Sequence, residues 1–134
     1  MVRTNQSGFT LVELMVTVAV IALLAAIAVP SYRQHVIRGK RSAAQAVMMD
    51  IANREQQYLL ANRVYAGKSE LESNGYVLPP DVGQDYDWGV EAEQFDDKPP
   101  TFVITLTPRV GGGQASDVVL TLDNEGAKGP PGKW

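Results

Sequence analysis

Phe9 to Val29 reads FTLVELMVTVAVIALLAAIAV, long enough to cross a bilayer as one helix, which takes about twenty apolar residues. Such a helix has to be covered by lipid or by other apolar helices. The remainder of a 134-residue chain leaves roughly a hundred residues for one soluble domain with a modest core. The run carries a single charge, Glu13, near its N-terminal edge. An acid inside lipid is costly and is read as functional by default. A short polar leader, MVRTNQSG, precedes the run, with Gly8 at the junction.

Two ordinary explanations fit part of this pattern. A secretory signal would use Arg3 as its positive end, Leu14 to Ile27 as its apolar core and Ala26-Ile27-Ala28 as a cleavage site. Against it, Glu13 sits at the edge of that core, and the apolar run passes without a break into a helical pattern. The other explanation is a plain single-pass anchor with a stray acid.

Gly8-Phe9-Thr10-Leu11-Val12-Glu13, followed by the apolar run and Pro30, resembles the prepilin motif of type IV pilins and their relatives. The resemblance implies three segments: a cleaved leader at 1–8, a transmembrane and assembly helix at 9–29, and a pilin globular domain at 30–134. It implies that a prepilin peptidase cuts after Gly8 and methylates the new amine of Phe9. A glycine before the scissile bond presents the least hindered backbone. It also implies that Glu13 pairs with the N-terminal amine of a neighbouring subunit. Neither charge is comfortable in apolar surroundings alone, and the two lie one helical turn apart. The implied partners are other pilin subunits, the peptidase, an inner-membrane assembly platform and, before assembly, the bilayer. The implied location is the bacterial inner membrane as a single-pass precursor, then an extracellular pilus or a periplasmic pseudopilus.

One count opposes that topology. The leader offers only Arg3, whereas Arg33, Arg38, Lys40 and Arg41 follow the apolar run. Taken alone, the positive-inside rule would keep the C-terminal side in the cytoplasm. The processing motif is given precedence. The basic cluster itself has three readings: contact with lipid phosphates, pairing with acidic faces of neighbouring subunits, or a solvated helix face.

Beyond the run, Pro30 removes one backbone bond and is expected to kink or locally open the helix, an assembly feature of the implied family. The pattern then resumes. Ala44, Val47, Met48, Ile51, Tyr58 and Leu59 form an apolar stripe, with Asp50, Asn53, Arg54 and Gln57 on the other side. Gly39 marks a second soft point. In the bare half, Ala25, Ala26 and Ala28 allow helices to approach closely.

After Asn62 the chain is punctuated by Gly67, Gly75, Pro79, Pro80 and Gly83 and reads as a long loop, tacked down by Tyr65, Leu71, Tyr76 and Val77. Three strands are expected: a weak one at Asp85 to Phe95, then Thr101 to Thr107 with Phe102, Ile104 and Leu106 on one face, then Val118 to Leu122. The fold class is therefore α+β, a pilin fold: a long N-terminal helix, its hydrophobic half protruding and its amphipathic half packed on an antiparallel sheet of three to four strands. The tail from Asp123 to Trp134 reads as turn and irregular backbone. With no cysteine in the chain, packing of Trp134 or Trp88 has to secure this end, where many pilins use a disulfide. Asp123, Asn124 and Glu125 resemble a fragment of a calcium loop but lack the alternating oxygen ligands. His35 is the only histidine, which excludes a multi-histidine metal site within one chain; no metal and no cofactor is expected.

No nucleophile motif or phosphate loop is present, and the acid pairs Asp85/Asp87 and Asp96/Asp97 read as solvated loop residues rather than catalytic ones. From Ser42 onward acids outnumber bases about two to one, which argues against nucleic acid as a partner. The expected role is a structural subunit of a type IV pilus, a minor pilin by its small domain. The alternatives are a pseudopilin of a type II secretion system, or a DNA-receptor pilin for competence, which would need exposed basic residues on the outer domain, where the tail offers only Lys128 and Lys133.

Overall fold

The computed structural model describes residues 8–134; the leader segment 1–7, including Arg3, lies outside them. Helix α1 runs from Leu11 to Asn62 and contributes to two compact units that divide between Val36 and Ile37. In the first unit every residue from Gly8 to His35 is exposed, which leaves the apolar run bare. Helical assignment continues through Pro30. The proline costs one hydrogen bond, and the helix nonetheless runs on past it to Asn62.

The second unit is built on the amphipathic part of α1. Ala44, Met48 and Ile51 are fully buried, and Val47, Tyr58 and Leu59 pack at the margin of the same core. Asp50, Asn53, Arg54 and Gln57 face solvent. Against this stripe lies a four-stranded antiparallel meander in the order β1 (Tyr86–Glu93), β2 (Thr101–Pro108), β3 (Leu120–Asp123) and β4 (Lys128–Gly129). Phe102, Ile104 and Leu106 of β2 point into the core with Leu120 and Leu122 of β3. Each such side chain contributes about 1.5–3 kcal/mol on burial.

The weakly marked first strand is regular, pairing along its length from Tyr86↔Pro108 to Glu93↔Thr101. The third begins later than expected, with Leu120 opposite Leu106, and Val118 and Val119 join it to Asp117, which is bonded to the helix through Arg41. The tail is not wholly irregular. Asp123 Oδ1 accepts the amides of Glu125 (3.0 Å) and Ala127 (2.8 Å), and Gly126 adopts a left-handed φ of 83° that favours glycine. The chain therefore folds back to form β4 beside β3.

The connection after α1 carries two short helices, α2 (Lys68–Ser73) and α3 (Pro80–Gly83). Tyr65, Leu71 and Tyr76 are buried as expected, whereas Val77 is 79% exposed and Ala66 and Val82 are buried instead. Tyr65 meets Phe102 edge-on at 4.7 Å. Trp134 packs at the core margin and donates its indole N–H to the Gly129 carbonyl at 2.9 Å, which secures the C-terminal end by packing.

Candidate processing and assembly site

Gly8, Phe9 and Thr10 precede α1 and are exposed. A Cβ built on Gly8 would meet nothing within 4 Å. The folded chain therefore places no steric demand for glycine at this position, and any such demand comes from whatever handles the junction. Phe9 is 86% exposed.

Thr10 and Glu13 form a reciprocal cap on α1. The Glu13 amide donates to Thr10 Oγ1 (3.2 Å), while Glu13 Oε2 accepts the Thr10 amide (3.1 Å) and the Thr10 hydroxyl (3.0 Å). This is a capping box, which satisfies helix-end donors that otherwise lack partners. Its signal in the sequence is threonine three residues before glutamate at the head of an apolar run, a pattern separate from the prepilin resemblance that singled out Glu13. One turn on, Thr17 Oγ1 donates to the Glu13 carbonyl at 2.6 Å.

Part of the basic cluster acts within the chain. Lys40 Nζ lies 2.7 Å from Asp85 Oδ2. Arg41 grips Asp117 through Nε, at 2.9 and 3.0 Å to the two oxygens, and through Nη2. The Tyr86 hydroxyl donates to the same carboxylate at 2.6 Å, and Gln114 Nε2 donates to the Ile37 carbonyl at 3.0 Å. Burial works against the charged Asp117, yet Arg41 and Tyr86 hold its pKa below the usual carboxylate range. Burial and then the Asp117 contact push the Tyr86 phenol up. Helix, β1 and the β2–β3 connection are thus clamped together. Asp85, expected to be a solvated loop acid, is 5% exposed and belongs to this clamp. Asp87 pairs with Arg109 at 2.8 Å, while Asp96 and Asp97 are exposed.

Glu55 is the residue that sequence patterning missed. It continues the apolar stripe one turn beyond Ile51, is fully buried, and accepts the Ala66 amide at Oε2 (2.8 Å), while Oε1 has no partner. Burial pushes its pKa up to about 7. At the other end of the domain, Lys128 lies 4.9 Å from the Trp134 ring, and both Lys128 and Lys133 are exposed. Among the described residues, no three His, Cys, Asp or Glu side chains gather to hold a metal ion, and Asp123 spends an oxygen on its own turn.

A capped apolar helix that continues into an amphipathic half packed on an antiparallel meander defines the subunit class of type IV pilins. Residues 30–120 match the family model described as "Type IV minor pilin ComP, DNA uptake sequence receptor", and residues 3–29 match the prokaryotic N-terminal methylation motif. The chain belongs to this type IV minor pilin family. Among its relatives, the fimbrial protein EcpC of Eikenella corrodens is 50% identical over 44 residues, covering 33% of this chain and 29% of that protein. The type IV major fimbrial protein FimA of Dichelobacter nodosus is 29% identical over 116 residues, covering 75% of this chain and 72% of that one. A fimbrial protein of Neisseria meningitidis serogroup A is 33% identical over 95 residues, covering 68% and 52%. The chain thus spans less than a third of the first of these relatives and about half of the third. No solved structure matches.

Proposed function

We propose that this pilin is cut after Gly8, methylated on Phe9, held in the inner membrane by Phe9–Val29 and then drawn into a pilus as a minor, non-catalytic subunit. The observation that carries this reading is the methylation motif over residues 3–29, whose part from Leu11 onward lies on a helix that is bare throughout its apolar run. In the filament, the same run packs against that of other subunits. Glu13 meets the amine of a neighbouring Phe9, and Pro30 marks the exit from the apolar layer. N-terminal mass analysis of the mature protein tests the first step. A chain beginning at methylated Phe9 is expected, and one beginning at Val29 would overturn the proposal.

A second role for the assembled subunit is contact with DNA, and the description of the matching family favours it. The acidic balance of the domain opposes it less than the totals suggest. Asp50, Asp85, Asp87 and Asp117 are each paired with a base of the same chain, so local cations rather than net charge decide phosphate contact. Lys128 and Lys133 beside Trp134 are the candidates. Full-length protein in detergent micelles should retard a duplex fragment at low salt, and changing both lysines to glutamine should abolish the shift. Retardation that survives the double change would move the contact elsewhere.

A further inference from the structure

Between the end of α1 and the turn after α2 lies a cleft of about 390 Å³, lined by Arg54, Gln57, Tyr58, Asn62, Asn74 and Tyr76 among others. Its lining contains no carboxylate, although the domain around it is acidic. It falls in the size range of small-ligand pockets and joins three carboxamides, two phenol rings and one guanidinium.

Tyr76 makes the cleft more than a surface dent. The residue is only 6% exposed, yet its hydroxyl has no hydrogen-bond partner, whereas buried hydroxyls nearly always find one. The ring stands edge-on to Trp88 at 5.1 Å and 70°, which limits how far it can turn to find a partner. The group covering it is Arg54, whose guanidinium lies 5.0 Å from the ring centroid. That side chain is about half exposed and gives its Nε to Asp50 Oδ2 at 3.0 Å. Asn62 donates its Nδ2 to the Tyr58 carbonyl at 3.1 Å, which leaves its Oδ1 as an acceptor.

Carboxamides both donate and accept, as sugar hydroxyls do, and phenol rings cover the C–H face of a pyranose. A guanidinium adds two-point recognition of a carboxylate. We propose that this cleft binds a hexuronic acid residue of an acidic polysaccharide, with Arg54 turning from the Tyr76 ring to the sugar carboxylate and so freeing the ring, whose unpartnered hydroxyl then serves as a donor to the sugar. Gln57, Asn62 and Asn74 take the remaining hydroxyls. Burial pushes the Tyr76 pKa up to about 12, so the phenol keeps its proton over the physiological range.

Trp88, packed on Tyr76, supplies the readout. Full-length protein carrying Trp134→Phe, in detergent micelles, is titrated with glucuronate, glucose and inorganic phosphate while tryptophan fluorescence is followed. Glucuronate is expected to give a saturable change, with glucose and phosphate each about tenfold weaker. Arg54→Gln should weaken glucuronate binding about tenfold. Asp50→Asn, which releases Arg54, should tighten it. Tyr76→Phe separates a ligand contact from a structural one: it removes an unsatisfied hydroxyl, so Tm should hold or rise while glucuronate binding weakens several-fold. No saturable response, an equal response to phosphate, unchanged affinity in Tyr76→Phe, or displacement of glucuronate by duplex DNA would each overturn the proposal.

Discussion

At the scale of single residues, two glutamates in one helix show how environment decides chemistry. Glu13 is spent on the helix end through Thr10. Glu55 is enclosed with one oxygen unpartnered, and the charge of Glu70 adds to the effect of burial. Its pKa rises from 4.5 to about 7, so the folded protein keeps a proton that the unfolded chain has released between those values. The stability Glu55 contributes is complete below about pH 4.5 and is lost as pH rises toward 7. Glu55→Gln, which mimics the protonated form, should flatten this part of the stability profile and leave the variant more stable than the parent at pH 8 by about 3 kcal/mol. Thermal melts of parent and variant from pH 4 to pH 8 measure it; parallel profiles would show that Glu55 is not the group responsible. Sequence could not place this residue inside, because glutamate on a helix is ordinarily solvated. Only the position one turn after Ile51 hinted otherwise.

Among elements, the tie between α1 and the sheet is held by charge as well as by apolar packing. The Asp117 side chain is fully buried and that of Arg41 is 15% exposed. Removing one partner of such a pair leaves a charge without compensation. Asp117→Ala should therefore destabilise the domain by about 3–5 kcal/mol, read as a lower denaturation midpoint. Lys40→Ala should cost clearly less, since Lys40 is 44% exposed and water screens its pair. Equal losses would refute the ranking. The elements themselves were legible where period and length were strong: the stripe Ala44–Met48–Ile51 and the alternation Phe102–Ile104–Leu106. Helix α2 was hidden, since six residues with one buried leucine carry no period. Strand β4, two residues long, follows the turn that Asp123 and Gly126 make, and the tie from Asp117 ahead of β3 runs to the distant Arg41. Contacts between residues far apart in sequence leave no local trace.

For the whole molecule, the processing motif and the apolar run were plain in the sequence because lipid and helix geometry constrain every position at once. The charge conflict around that run stands: Lys40 and Arg41 are paired with Asp85 and Asp117 in the folded domain, but the positive-inside rule counts Lys and Arg rather than net charge. Incorporation is the test at this scale. In cells lacking the parent copy, Glu13→Ala should remove the chain from sheared filaments while leaving its membrane level unchanged. Normal incorporation would mean that the glutamate sets no register. The DNA and saccharide proposals concern separate surfaces, around Lys128 and Trp134 in one case and Arg54 and Tyr76 in the other, so either can fail alone.

The reciprocal bonds of Thr10 and Glu13 bear finally on supply. A membrane anchor with an unsatisfied acid would seek a companion at once, and subunits would aggregate in the bilayer before any machine called on them. Here the acid is answered by its own chain, within the first turn of its own helix. On the proposed membrane location, that self-contained cap would let single subunits stay dispersed until they are extracted into a filament.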